Sequence, residues 1–165
     1  MNWIVTHQYD RRAAHLADRH YSRQKPGTPK FSPPGRKLVL ITRDASAVWV
    51  TSWPLAEYVR RDYADAWICT LFRNESPILS SSLILEAIAI TRWKYGSPPA
   101  SGMITMIDPT KIQSCNPGYC FKVAGFQHID YTKRAGLHIL QLASAKIPQA
   151  ASPLGVLPWL EEVSI

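Results

Sequence analysis

The chain has 165 residues, 46% of them hydrophobic and 19% charged, with a formal net charge of +7. That size and apolar share suit one domain with a sizeable core and exclude global disorder. No apolar run is long enough to span a bilayer, since the best, 78–90, holds Ser80, Ser81, Ser82 and Glu86. The opening residues, Met-Asn-Trp-Ile-Val-Thr, carry no basic region leading into an apolar core. A secretory leader is therefore not expected, and the cytoplasm is the expected location. Cys69, Cys115 and Cys120 match no CxxC zinc spacing and cannot all pair within one chain, so they read as thiols in a reducing compartment. The excess of positive charge points to a polyanionic partner, and nucleic acid is the expected one.

Residues Trp3–His7 predict a short strand. Asp10–Tyr21 predicts a helix, with Ala13, Ala14, Leu16 and Ala17 at helical spacing and Asp10 as its N-cap. Between Ser22 and Arg36, four prolines (Pro26, Pro29, Pro33 and Pro34) forbid a regular helix or central strand. The stretch reads as a basic Pro/Gly loop in which Arg23, Lys25, Lys30 and Arg36 are placed to meet DNA phosphates. Lys37–Thr42 and Ala47–Trp53 flank a hairpin signal at 43–46, and Leu55–Ala64 reads as a short helix or a connection. Ala66–Phe72 is a buried strand. Ser80–Tyr95 is a strong helix with Leu83, Ala87 and Ile90 on one face, one of its first serines as a cap, and a stop at Gly96 and Pro98. Gly102–Ile107, Phe126–Tyr131 and Leu137–Leu142 are further strands, with a helix over Pro117–Ala124. The C-terminal extension, 143–165, carries Pro153, Gly155 and Pro158 and then a turn at Trp159–Val163. The order is β-α-β-β-(α)-β-α-β-α-β-β, a mixed α/β domain spanning 1–165.

Met106-Ile107-Asp108-Pro109 followed by Tyr119-Cys120-Phe121-Lys122-Val123-Ala124-Gly125-Phe126 resembles the late strand, last helix and closing Gly-Phe turn of the GNAT acyltransferase fold, over about 1–142. That resemblance implies a central mixed sheet flanked by helices. It also implies a glycine-rich loop after the fourth strand that cradles the coenzyme A pyrophosphate at a helix N-terminus. Here the loop is Arg73-Asn74-Glu75-Ser76-Pro77-Ile78-Leu79-Ser80, with no glycine, one N–H lost to Pro77 and a negative charge at Glu75. Acetyl-CoA is thus not expected to bind in the usual manner. Phe121 stands where many members carry the tyrosine that protonates the departing thiolate, which leaves Tyr119 as the nearest substitute.

The pair His20-Tyr21, Arg73, Asp108 and Tyr119 further resemble the pattern of the phage Mom DNA-modification family, a divergent branch of that scaffold. The resemblance implies a transferase that adds a glycinamide-like (carbamoylmethyl) group to adenine N6 in duplex DNA and shields phage DNA from restriction. It also implies that His20 and Tyr21 are a reactive pair or else iron ligands, with Asp108 or Asp130 as a third ligand. In this frame Arg73 holds an anionic donor or a phosphate. Ser81 contacts the donor, Asp108 accepts the N6 proton or orients the base, and Tyr119 donates a proton or stacks on an extruded base. Trp49, Trp53 and Phe31 are stacking candidates. Each residue also has a plain reading: helix cap, turn former, surface cation or core aromatic. The rival functions are an ordinary acyl-CoA-dependent N-acyltransferase and a non-catalytic DNA-binding module on the same scaffold. An exposed strand edge leaves a homodimer open.

Overall fold

A computed structural model of the chain describes residues 1–20, 26–27, 31, 35–53, 65–112 and 115–157. Tyr21, Arg23, Lys25, Lys30, the connection at 55–64 and the turn at 159–163 lie outside the described residues.

Seven strands form one sheet in the order β1-β2-β3-β4-β5-β7-β6. They are β1 Trp3–Thr6, β2 Arg36–Thr42, β3 Ala47–Trp53, β4 Trp67–Asn74, β5 Met103–Ile107, β6 Gln127–Tyr131 and β7 His138–Leu142, with helices α1 Arg11–Asp18, α2 Ser80–Tyr95 and α3 Tyr119–Val123 between them. Every neighbouring pair is antiparallel except β4 with β5. A parallel pair needs a crossover, and α2 supplies it. The mixed α/β architecture expected from the element order is therefore present, as are nearly all its boundaries.

The alternation of side chains sorts the strands into two faces. On one, Leu38, Leu40, Trp49, Trp67, Met103, Leu140 and Leu142 meet α2 and α3. On the other, Val39, Ile41, Val48, Val50 and Leu71 meet Ala13, Leu16 and Ala17 of α1. Helix α2 is buried well beyond the predicted stripe: Leu83, Ile84, Ala87, Ile88, Ala89, Ile90 and Thr91 are all covered. The extra cover comes from the C-terminal extension. It crosses α2, where Ala151 N–H donates to the Ala89 carbonyl, and then runs along β1, where Val5 N–H donates to Gly155 and Leu157 N–H donates to Val5. That added strip occupies the free edge of β1.

The capping expectations divide. Asp10 caps α1 as expected, its carboxylate accepting from Arg12 N–H. At α2 the cap is Leu79, with no side-chain bond, and none of Ser80, Ser81 or Ser82 caps it. Asn74 draws off the nearest hydroxyl, since its Nδ2 donates to Ser80 Oγ at 3.0 Å.

Candidate functional site

The parallel pair opens partway along. β4 and β5 are in register at only three positions, Trp67 with Met103, Ile68 with Ile104 and Cys69 with Thr105. At the last of these the Thr105 hydroxyl donates to the Cys69 carbonyl at 3.1 Å. One residue further, β4 bulges: Val50 faces Leu71 and Thr51 faces Cys69, so Thr70 has no partner on β3. A bulge bends its strand and raises its twist. Beyond it the two strands part around a small cleft lined by Cys69, Thr70, Leu71, Phe72, Thr105, Met106, Ile107, His20 and Phe121. Its volume is about 50 Å³. One water needs about 10–15 Å³ on this measure, so the cleft takes a small group but no purine without rearrangement.

The carboxyl ends of β4 and β5 lie at the same end of the sheet, and two of the predicted residues, His20 and Arg73, come together there. His20 follows α1 and reaches the cleft from the α1 face, whereas Phe121 reaches it from the α3 face. Burial lowers the His20 imidazole pKa to about 4, and the Arg73 guanidinium lowers it further in the same sense. It is therefore neutral at pH 7, a proton acceptor. Arg73 itself is held on two sides. Its Nε donates to Glu75 Oε2 at 2.5 Å and its Nη1 donates to the Arg19 carbonyl, just after α1, at 2.8 Å. Arg19 grips the same carboxylate with two bonds, at 2.7 and 2.9 Å. The hydrogen bonds from Arg19 and then from Arg73 hold the Glu75 carboxyl down at about 2. The negative charge read from the sequence at Glu75 is thus more than offset, and the trio carries one net positive charge.

The rest of that loop closes on itself. Glu75 N–H donates to the Ser46 carbonyl, Ser76 N–H to Asn74 Oδ1 and Ile78 N–H to Ser76 Oγ, and Pro77 has no N–H to offer. Three of the amides that would help cradle a pyrophosphate, those of Glu75, Ser76 and Ile78, are bonded inside the protein. Ser81, in the first turn of α2, is only 7% exposed.

Asp108 ends β5 and caps the 3-10 turn Pro109–Lys111, accepting from Thr110 N–H at 3.0 Å and Thr110 Oγ1 at 2.6 Å. These bonds, the hydroxyl's first, depress its pKa. Tyr119 opens α3, held there by Gly118, whose backbone (φ +75°) passes so close to Leu140 and Ile107 that a Cβ would collide. Two helical positions separate Tyr119 from Phe121, so they point in nearly opposite directions. Phe121 turns into the cleft, and Tyr119 is 61% exposed.

Other candidates are placed elsewhere. Arg36 opens β2 opposite Trp53, at the far end of the sheet from the cleft, with its guanidinium 4.0 Å over the Trp53 ring. Trp49 is fully buried and Phe31 packs beside the α1 face. The cleft walls Thr70 and Thr105 and the buried Cys69 carried no signal in the sequence: a bulge and a parting of strands are decided between segments distant in sequence.

Of the iron ligands that the resemblance implies, Tyr21 lies outside the described residues. Among them no three His, Cys, Asp or Glu side chains lie together as a metal site. The guanidinium beside His20 also opposes a cation there. Comparison with protein-family models, curated proteins and solved structures gives no match to this chain.

Proposed function

We propose that this chain is a group transferase on a GNAT-like sheet, and that it modifies adenine N6 in duplex DNA as the Mom family does. The observation that carries the transferase reading is the cleft between the parted ends of β4 and β5, with a neutral imidazole and a guanidinium at one end of it. The sheet order with its single parallel pair supports the scaffold. The net charge of +7 supports a polyanionic substrate. The loop after β4, with the amides of Glu75, Ser76 and Ile78 committed and none at Pro77, supports a donor other than acetyl-CoA bound in the usual way.

In this reading the N6 amine forms a bond to the carbon of the transferred group, and the donor's leaving group departs with the old bonding pair. The N6 proton passes to the neutral His20 imidazole. Arg73 offers its positive charge to the anionic part of the donor or to a neighbouring phosphate. Asp108 orients the Pro109–Lys111 turn at the edge of the site. Because the cleft holds a small group, the adenine is presented at its mouth after leaving the base stack. An ordinary acyl-CoA-dependent N-acyltransferase is the second reading, favoured by the net positive Arg19–Glu75–Arg73 trio.

Mass spectrometry of nucleosides from host DNA after expression tests the proposal. A new adenine adduct is expected. DNA without an adduct, together with tight coenzyme A binding, would move the chain to the second reading. DNA binding without an adduct would leave a binding module.

A further inference from the structure

If the cleft takes only a small group, the nucleic acid is held by the surface around it, and one exposed surface carries the chemistry for that. Strand β6 is the free edge beyond β7, and all five of its residues are exposed. On the face that carries α3, His128, Tyr131 and His138 form a three-ring cluster, with centroids 4.5, 5.0 and 5.1 Å apart. Tyr131 is 57% exposed. Single exposed rings are ordinary, but these three, two on the edge strand and the half-buried His138 on β7, touch one another and belong to no core cluster of this fold.

The cluster adjoins the cleft. His138 faces Ile107 across the ladder, and Ile107 is a cleft wall. Directly beyond the rings the β6–β7 hairpin turns at 132–137, closed by Thr132 N–H to the Leu137 carbonyl at 2.9 Å. Its tip presents Lys133 and Arg134, both exposed, and Lys111 is exposed on the turn after β5. Among the described residues none of these three cations has an ion-pair partner. Of the carboxylates on these segments, Asp108 accepts from Thr110 and lies beside Lys111, and Asp130 faces Ile139 across the ladder, on the other side of the sheet from the rings, and accepts from Tyr131 N–H at 2.7 Å.

We propose that the β6–β7 hairpin is a nucleic-acid docking surface, with Tyr131 and His128 stacking on an unpaired base while Lys111, Lys133 and Arg134 hold the flanking phosphates. The inference rests on the reading of DNA as substrate and names where on the protein the DNA sits. Interleaved rings and cations serve both parts of a nucleotide, since ring faces accept any base and cations release the phosphates' counterions.

The test is fluorescence anisotropy of the full chain with two labelled duplexes, one fully paired and one with a short run of unpaired adenines. Tyr131→Leu should weaken binding of the unpaired probe about tenfold or more, the loss expected for one base–ring stack, and affect the paired duplex less. The double variant Lys133→Ala/Arg134→Ala should weaken both and lower the log–log salt slope by about 1.8. Wild-type affinity and slope in both variants would overturn the surface. So would a loss of binding that tracks dissociation of a dimer in sedimentation, which would make β6 a self-association edge. The adduct assay decides the transferase separately: adduct formation with variant-insensitive binding removes this surface alone, and variant-sensitive binding without adduct removes the transferase alone.

Discussion

His20 is the residue whose chemistry is set most by its surroundings. Its folded pKa, about 4, lies below the ordinary 6.5. Between those values the unfolded chain binds a proton that the folded chain refuses, so stability rises with pH across this window. The contribution is complete above about pH 6.5, is lost as pH falls towards 4, and amounts to at most roughly 3 kcal/mol. Urea unfolding at pH 4.5 and pH 7 should show that difference in the native chain and a much smaller one in His20→Gln. Glu75 loses its own contribution below about 4.5, as pH falls towards 2, so it lies almost wholly under this window. His7, whose pKa burial also lowers, shares the window, and His20→Gln leaves its part in place. The same variant separates the two candidate bases. His20→Gln should cut adduct formation by ~10²–10⁴, the cost of a lost general base. Asp108→Asn, which keeps an oxygen for Thr110, should keep the fold and lose much less. The opposite ranking in adduct per adenine would return the proton to Asp108.

At the scale of elements, caps and close approaches decide where strands and helices sit. Asp10 is only 4% exposed; it caps α1 and also accepts from the Thr6 hydroxyl at 2.7 Å. Asp10→Ala removes a cap and leaves buried donors unmet, which should cost about 1–3 kcal/mol in thermal or urea unfolding. Gly102 is stricter. It leads into β5 at φ +65°, and a Cβ there would lie 2.1 Å from the Leu142 carbonyl oxygen. That neighbour is backbone and cannot swing aside. Gly102→Ala should therefore destabilise by roughly 3 kcal/mol or more, or prevent folding. An alanine chain with wild-type melting would mean that β5 and β7 do not approach as described.

For the whole molecule, ligand choice follows from what the fold leaves unsatisfied. The loop after β4 gives the amides of Glu75, Ser76 and Ile78 to Ser46, Asn74 and Ser76, so calorimetry should show acetyl-CoA binding far weaker than micromolar. A dissociation constant near 1 μM, about −8 kcal/mol, would show that the loop opens to bind and would favour the acyltransferase reading. The C-terminal extension acts at the same scale, covering part of α2 and the β1 edge at once, which explains how the helix is buried beyond one stripe while Ser82, Leu85, Trp93 and Lys94 stay exposed.

Periodicity and punctuation made most of the elements legible. The turn residues at 43–46 and the apolar run after them mark Ala47–Trp53, 3.6-residue spacing and Gly96 bound Ser80–Tyr95, and Asp10 announces α1, because each signal is local and written in adjacent residues. The sequence also marked His20, Arg73 and Asp108 as residues to watch. Tertiary structure alone decided what they face. Glu75 reads as a repelling charge until Arg19, 56 positions away, pairs with it. Tyr119 and Phe121 exchange prospects once α3 turns one inward and the other out. Arg36, expected among the phosphate contacts, lies at the far end of the sheet on Trp53. The cleft depends on a bulge at Thr70 and on β5 leaving β4 after three paired positions. Such features arise from register between strands some 35 residues apart, for which a linear pattern carries no local sign.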